Sequence, residues 1–104
     1  MISQDRMEKA LTYLATTDDE AAELQANVER AEYRARGVRD ALIVHGEGGL
    51  GERQARAGCA QEYMDAMDAY FAAVAASGKV RNKRRTEEIV IDVYRTLEAS
   101  RRRA

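Results

Sequence analysis

The sequence predicts an all-α protein, an antiparallel helical hairpin with short N-terminal and C-terminal helices that together make a three- to four-helix bundle with coiled-coil-like packing. Three observations predict it. The 104 residues contain no proline and are rich in Ala, Glu, Arg and Leu, which favours helix nearly throughout. Leu24, Val28, Ala31, Ala35, Val38 and Leu42 recur at steps of four and three, and Ala57, Ala60, Met64, Met67, Phe71 and Val74 repeat the pattern, as helices packed lengthwise require. Between these stripes lies His45-Gly46-Glu47-Gly48-Gly49-Leu50-Gly51-Glu52. Each glycine costs about 1 kcal/mol relative to alanine in a helix interior, so this segment reads as the connector of the hairpin.

Taken in order, Ser3 can cap a first short helix with Met7, Ala10, Leu11 and Leu14 on one face, and Thr16 and Thr17 interrupt it. Thr17-Asp18-Asp19-Glu20 has the form of a capping box, opening a second helix that runs to about Val44 with Gly37 inside it. A third helix is expected from Gly51 or Glu52 to Ser77, with Gly78 as the left-handed residue after its end. Continuing the seam past Gly78 would bring Arg81, Arg85, Glu88 and Asp92 into it, which argues for a break there; a kinked continuous helix is the alternative. Thr86 then starts a last helix that buries Ile89, Val90, Val93, Tyr94 and Leu97 and closes on Arg101, Arg102 and Arg103. The run Ile89-Val90-Ile91 favours strand, but no second strand pattern exists to pair with it.

Length sets the expectation of a single helical domain, 1–104. Much of its 45% hydrophobic content is alanine, with one Phe and no Trp, so an isolated hairpin buries little area at about 25 cal/mol per Å². A homo-oligomer is therefore expected. No stretch approaches the roughly 18 apolar residues of a membrane span, and the first residues lack the order of a signal peptide. The single cysteine, Cys59, excludes an intrachain disulfide, and the expected location is cytoplasmic.

Charge is unevenly placed. Residues 1–78 hold 8 Lys and Arg against 14 Asp and Glu, whereas 79–104 hold 9 against 4. The basic segment 79–104 is the candidate partner-binding surface, with Lys79, Arg81, Lys83, Arg84 and Arg85 at its centre and Arg95, Arg101, Arg102 and Arg103 extending it. Exposed cations suffice for contact with nucleic acid or an acidic protein surface. Tyr94 is the one aromatic residue near them and belongs to the core face, which disfavours selective single-strand recognition.

Catalytic patterns are sparse. Gly46, Gly48 and Gly51 match G-x-G-x-x-G, yet the residues before them have helical rather than strand periodicity, and Glu47 and Glu52 would repel a pyrophosphate. His45, the only histidine, has no nucleophile arranged beside it, and Cys59 sits between Ala57 and Ala60 as a small packing residue. Glu29 and Glu32, with Glu62 and Asp65, form pairs three residues apart that suit Mg²⁺ if they converge. This arrangement resembles the E-x-x-E and E-x-x-D pairs of the all-helical nucleoside triphosphate pyrophosphatases. That resemblance implies a magnesium site on those four carboxylates and a metal-bound water as nucleophile.

From Glu29 to the end, and most in Arg53-Gln54-Ala55 and Arg95-Thr96-Leu97-Glu98-Ala99-Ser100-Arg101, the chain resembles small all-helical accessory proteins encoded by tailed bacteriophages. The resemblance implies a viral protein, working in the host cytoplasm by binding nucleic acid or a recombination, replication or defence complex. The leading expectation is a non-enzymatic, oligomeric helical adaptor or inhibitor that uses its basic C-terminal surface and needs no cofactor, no small-molecule substrate and no membrane. A magnesium-dependent pyrophosphatase-like enzyme and a structural assembly subunit are the alternatives.

Overall fold

The structure, a computed structural model, describes residues 1–103; Ala104, the last residue of the basic segment 79–104, lies outside the described residues. It is all-helical, with α1 at Gln4–Val44, α2 at Leu50–Cys59 and α3 at Gln61–Arg103. No strand occurs among the described residues, and Ile89-Val90-Ile91 is helical.

The two short terminal helices expected from sequence do not exist as separate elements. Ser3 caps α1 as expected, its Oγ accepting from the Arg6 amide at 3.0 Å. The expected interruption at Thr16 and Thr17 is absent because both hydroxyls turn back onto the helix, donating to the carbonyls of Thr12 at 2.9 Å and Tyr13 at 2.7 Å. Bonded in this way, neither threonine competes with the helix backbone. Gly37 lies within α1 with open space where a Cβ would stand. Gly37→Ala is expected to raise stability by about 0.5–1 kcal/mol, measured by urea denaturation.

The connector is the loop between Val44 and Leu50. Gly48 has φ +94°, a backbone conformation that other residues adopt only with strain. Arg53 of α2 donates from Nη1 to the Ile43 carbonyl at 3.2 Å, placing a cation on the carbonyl end of α1. Arg56 donates to the Glu47 carbonyl. The expected third helix is divided at Ala60, whose ψ of 139° is extended and whose carbonyl accepts from the Met64 amide at 3.0 Å.

Two compact units result, a terminal unit of Met1–Ala22 with Gly78–Ala104 and a central unit of Glu23–Ser77. In the central unit, Ala35 and Ala57 are buried, and Leu24, Val28, Ala31, Val38 and Leu42 are half-buried, as the first stripe predicts. The second stripe is displaced by one residue. Tyr63, Ala66, Tyr70 and Ala73 are the half-buried positions at steps of three and four, together with Met67, whereas Met64, Phe71 and Val74 are 49%, 57% and 37% exposed. The break at Ala60 is the cause, because the phase set by Ala57 does not carry into a helix that starts afresh at Gln61. Ser77 is buried, its Oγ 3.4 Å from Gln25 Oε1.

The same shift removes the reason for a turn at Gly78. Counted from Ser77, the seam positions are Val80, Arg84, Glu87, Ile91 and Tyr94, and α3 continues through Gly78 without interruption. In the terminal unit Ala10 is 0% and Ile91 5% exposed. Ile89, Val93 and Leu97, expected in the buried face, are 49%, 41% and 41% exposed.

Two charged residues occupy the terminal unit's seam, and each has a partner. The buried Glu87 carboxylate lies 2.7 Å from Arg6 Nη1 and accepts from Arg6 Nη2 at 3.0 Å. The hydrogen bond from Arg6 holds the Glu87 carboxyl below the usual carboxylate range, opposed by desolvation and supported by the charges of Arg6 and Lys83. A carboxyl whose folded pKa is depressed contributes stability that is present above the unfolded pKa and lost as pH falls through the folded one. The melting temperature of wild type should therefore exceed that of Glu87→Gln at neutral pH, and the gap should close as pH is lowered below the usual carboxylate range, followed by circular dichroism.

Candidate basic interface

The nine cations expected to form the partner surface all lie on α3, yet they do different things. Arg84 is turned inward: Nη1 donates to the Leu14 carbonyl at 2.8 Å and to Thr17 Oγ1 at 2.7 Å, and Nη2 to Asp18 Oδ1 at 3.2 Å. It is a seam residue that ties α3 to α1. Its expected place on the solvent-facing surface is corrected by these three bonds, which occupy donors a partner would otherwise use. Lys83 is exposed and stands over the Tyr13 ring, its Nζ 4.8 Å from the centroid.

The remaining cations face solvent. Lys79, Arg81, Arg85 and Arg95 are exposed and make no ion pair with a described residue. Arg101 pairs with Glu98 at 2.7 Å, and Arg102 and Arg103 are exposed in the last turn, where cations suit the carbonyl end of a helix. At about 100° per residue, Arg81, Arg85, Arg95 and Arg102 share one flank of α3. Glu88 and Asp92 interrupt that flank between Arg85 and Arg95. Arg103, about five whole turns from Arg85, lies on that flank too, whereas Lys79 and Lys83 fall on the opposite flank.

The carboxylates read as an alternative metal site do not converge. Among the described residues, no three His, Cys, Asp or Glu side chains come together as a metal ion requires. Glu32 pairs with Arg36, and Asp65 accepts from Gln61 at 2.7 Å. Cys59, expected to be buried, is exposed at the end of α2, because it lies about 200° around the helix from the buried Ala57.

In the central unit a cleft of about 720 Å³ opens where α1 ends, lined by Val38, Ala41, Leu42, Ala57 and Ala60 and by the polar His45, Arg53 and Arg56. Arg53 is committed there to the end of α1. Sequence reasoning missed the inward role of Arg84 and the pairing of Glu87, and the signal was present: both fall on the seam once it is counted from Tyr63 rather than Met64. No family model, no curated protein and no solved structure matches the chain.

Proposed function

We propose that the chain is a non-enzymatic adaptor or inhibitor, a self-associating helical hairpin that docks on an anionic partner through the C-terminal half of α3. The observation that carries the reading is the set of exposed, unpaired cations Lys79, Arg81, Arg85 and Arg95. Of the eight cations in residues 1–78, Arg6, Lys9, Arg30, Arg36 and Arg56 pair with the chain's own carboxylates and Arg53 bonds the Ile43 carbonyl, which leaves only Arg34 and Arg39 without an ion pair to a described residue. The hairpin is supported in the terminal unit by the pairing of Arg6 with Glu87 and of Asp18 with Arg84, in which numbers rise along α1 as they fall along α3. Self-association is supported by the exposed Met64, Phe71 and Val74, a second apolar strip beside the seam.

Glu88 and Asp92 favour an acidic protein over nucleic acid, since a phosphate backbone calls for cations alone while a protein surface can match mixed charge. A viral origin belongs to the same reading and rests on the resemblance to phage accessory proteins. The test is capture from a host lysate with the full chain, with and without nuclease. An acidic protein retained after nuclease and released as salt is raised supports the reading. Recovery of nucleic acid alone, or of no macromolecule, contradicts it.

A further inference from the structure

The cleft beside the end of α1 joins an apolar wall to a cation that the fold leaves half used. Val38, Ala41, Leu42, Ala57 and Ala60 make the wall, and all of them belong to the central unit. Its volume of about 720 Å³ falls within the range of about 300–1,000 Å³ usual for sites that take a small organic molecule. Arg53 lines the same cleft and is half-buried. Its Nη1 donates to the Ile43 carbonyl, whereas Nε is buried with no hydrogen-bond partner and Nη2 bonds no described residue. A buried donor without a partner is rare, and an acceptor from outside the chain satisfies it. Nε and Nη2 share one edge of the guanidinium, the edge on which a carboxylate sits with two parallel hydrogen bonds.

We propose that this cleft binds a long-chain carboxylate, its head on the Nε–Nη2 edge of Arg53 and its hydrocarbon chain along the wall of Val38, Ala41 and Leu42. The two parts of the site select this occupant together. A neutral apolar molecule leaves the Arg53 edge unpaired, and inorganic phosphate gains nothing from a wall of aliphatic side chains. Arg56 adds little, because it already bonds the Glu47 carbonyl and stands 3.6 Å from the Glu52 carboxylate. Glu62 is the one carboxylate among the lining residues, exposed and in no ion pair with a described residue, so it opposes an anion. The site goes beyond the docking role of α3 and uses none of Lys79, Arg81, Arg85 or Arg95.

The probe is a fluorescent dodecanoate titrated against the full chain by anisotropy, below the concentration at which it forms micelles, and displaced by unlabelled dodecanoate or by its methyl ester. Dodecanoate should displace it at about a tenth of the ester concentration, since the ester carries the same chain without the charge. Arg53→Lys keeps the cation and loses the two-donor edge, and should weaken binding by about tenfold. Ala41→Glu puts a carboxylate on the wall at an exposed helical position, where it leaves the fold intact, and should weaken binding by about tenfold as well. Glu62→Gln should strengthen it by about two- to threefold. The proposal is overturned if the probe does not bind, if the ester displaces it as well as the acid, or if Arg53→Lys and Ala41→Glu, folded by circular dichroism, bind as the wild type does. Binding that survives Ala41→Glu but is lost in Phe71→Glu also overturns it, since the probe then sits on the exposed strip of Met64, Phe71 and Val74.

Discussion

Ile91→Ala is expected to cost about 2–4 kcal/mol of unfolding free energy, and Ile89→Ala, two residues away, less than about 1 kcal/mol. Both residues are isoleucines in the same turn of α3, so helix propensity changes equally and burial alone separates them. Ile91 is 5% exposed at the seam, and removing its side chain leaves a cavity against α1, whereas Ile89 faces outward and its loss opens none. Urea denaturation of the two variants, with unchanged slope, reads the difference directly. Equal costs would mean that the seam of α3 does not run through Ser77, Val80, Arg84, Glu87 and Ile91.

Phe71→Glu is the second large effect. The ring is 57% exposed and tilted at 48° against Tyr70, with Met64 and Val74 exposed on the same side of α3. A carboxylate at Phe71 should therefore leave each chain helical while abolishing self-association, since an unpaired charge at the centre of an apolar contact costs several kcal/mol, on the order of 3–5. Leu42→Glu is the contrasting variant: Leu42 is half-buried in the α1 seam, so the charge there should unfold the chain. Light scattering at micromolar concentration separates the two outcomes. A wild-type mass equal to one chain would remove self-association from the account.

What the sequence made legible, and what it hid, follows from where helix phase could be counted without interruption. From Leu24 to Leu42 nothing interrupts it, and every residue the spacing names is buried or half-buried. In α3 the count was carried forward from Ala57 and Ala60 across a break that no proline marks, so Met64, Phe71, Val74, Arg81, Arg85, Glu88 and Asp92 were each read in place of the residue before. That single step made Arg81, Arg85, Glu88 and Asp92 look like seam residues and suggested a turn at Gly78. It also hid that Arg84 and Glu87 are held by Asp18 and Arg6. The interruption expected at Thr16 and Thr17 failed for another reason, since a threonine that bonds its own helix backbone no longer ends the helix. At the site, the concentration of cations was legible from composition. Which of them are free depended on long-range partners, and those become visible only when α1 and α3 are brought together.

If the exposed cations of α3 hold the partner, reversing three of them should release it. The variant reverses Arg81, Arg85 and Arg95 to glutamate and spares Arg84, whose bonds to Leu14, Thr17 and Asp18 belong to the fold. None of the three makes an ion pair with a described residue, so helicity and melting should be those of the wild type. Affinity for the captured partner, measured by calorimetry, should fall by about a hundredfold or more, three favourable charge contacts having become repulsive. Unchanged affinity in a folded variant would contradict the claim and move the contact surface off the basic half of α3.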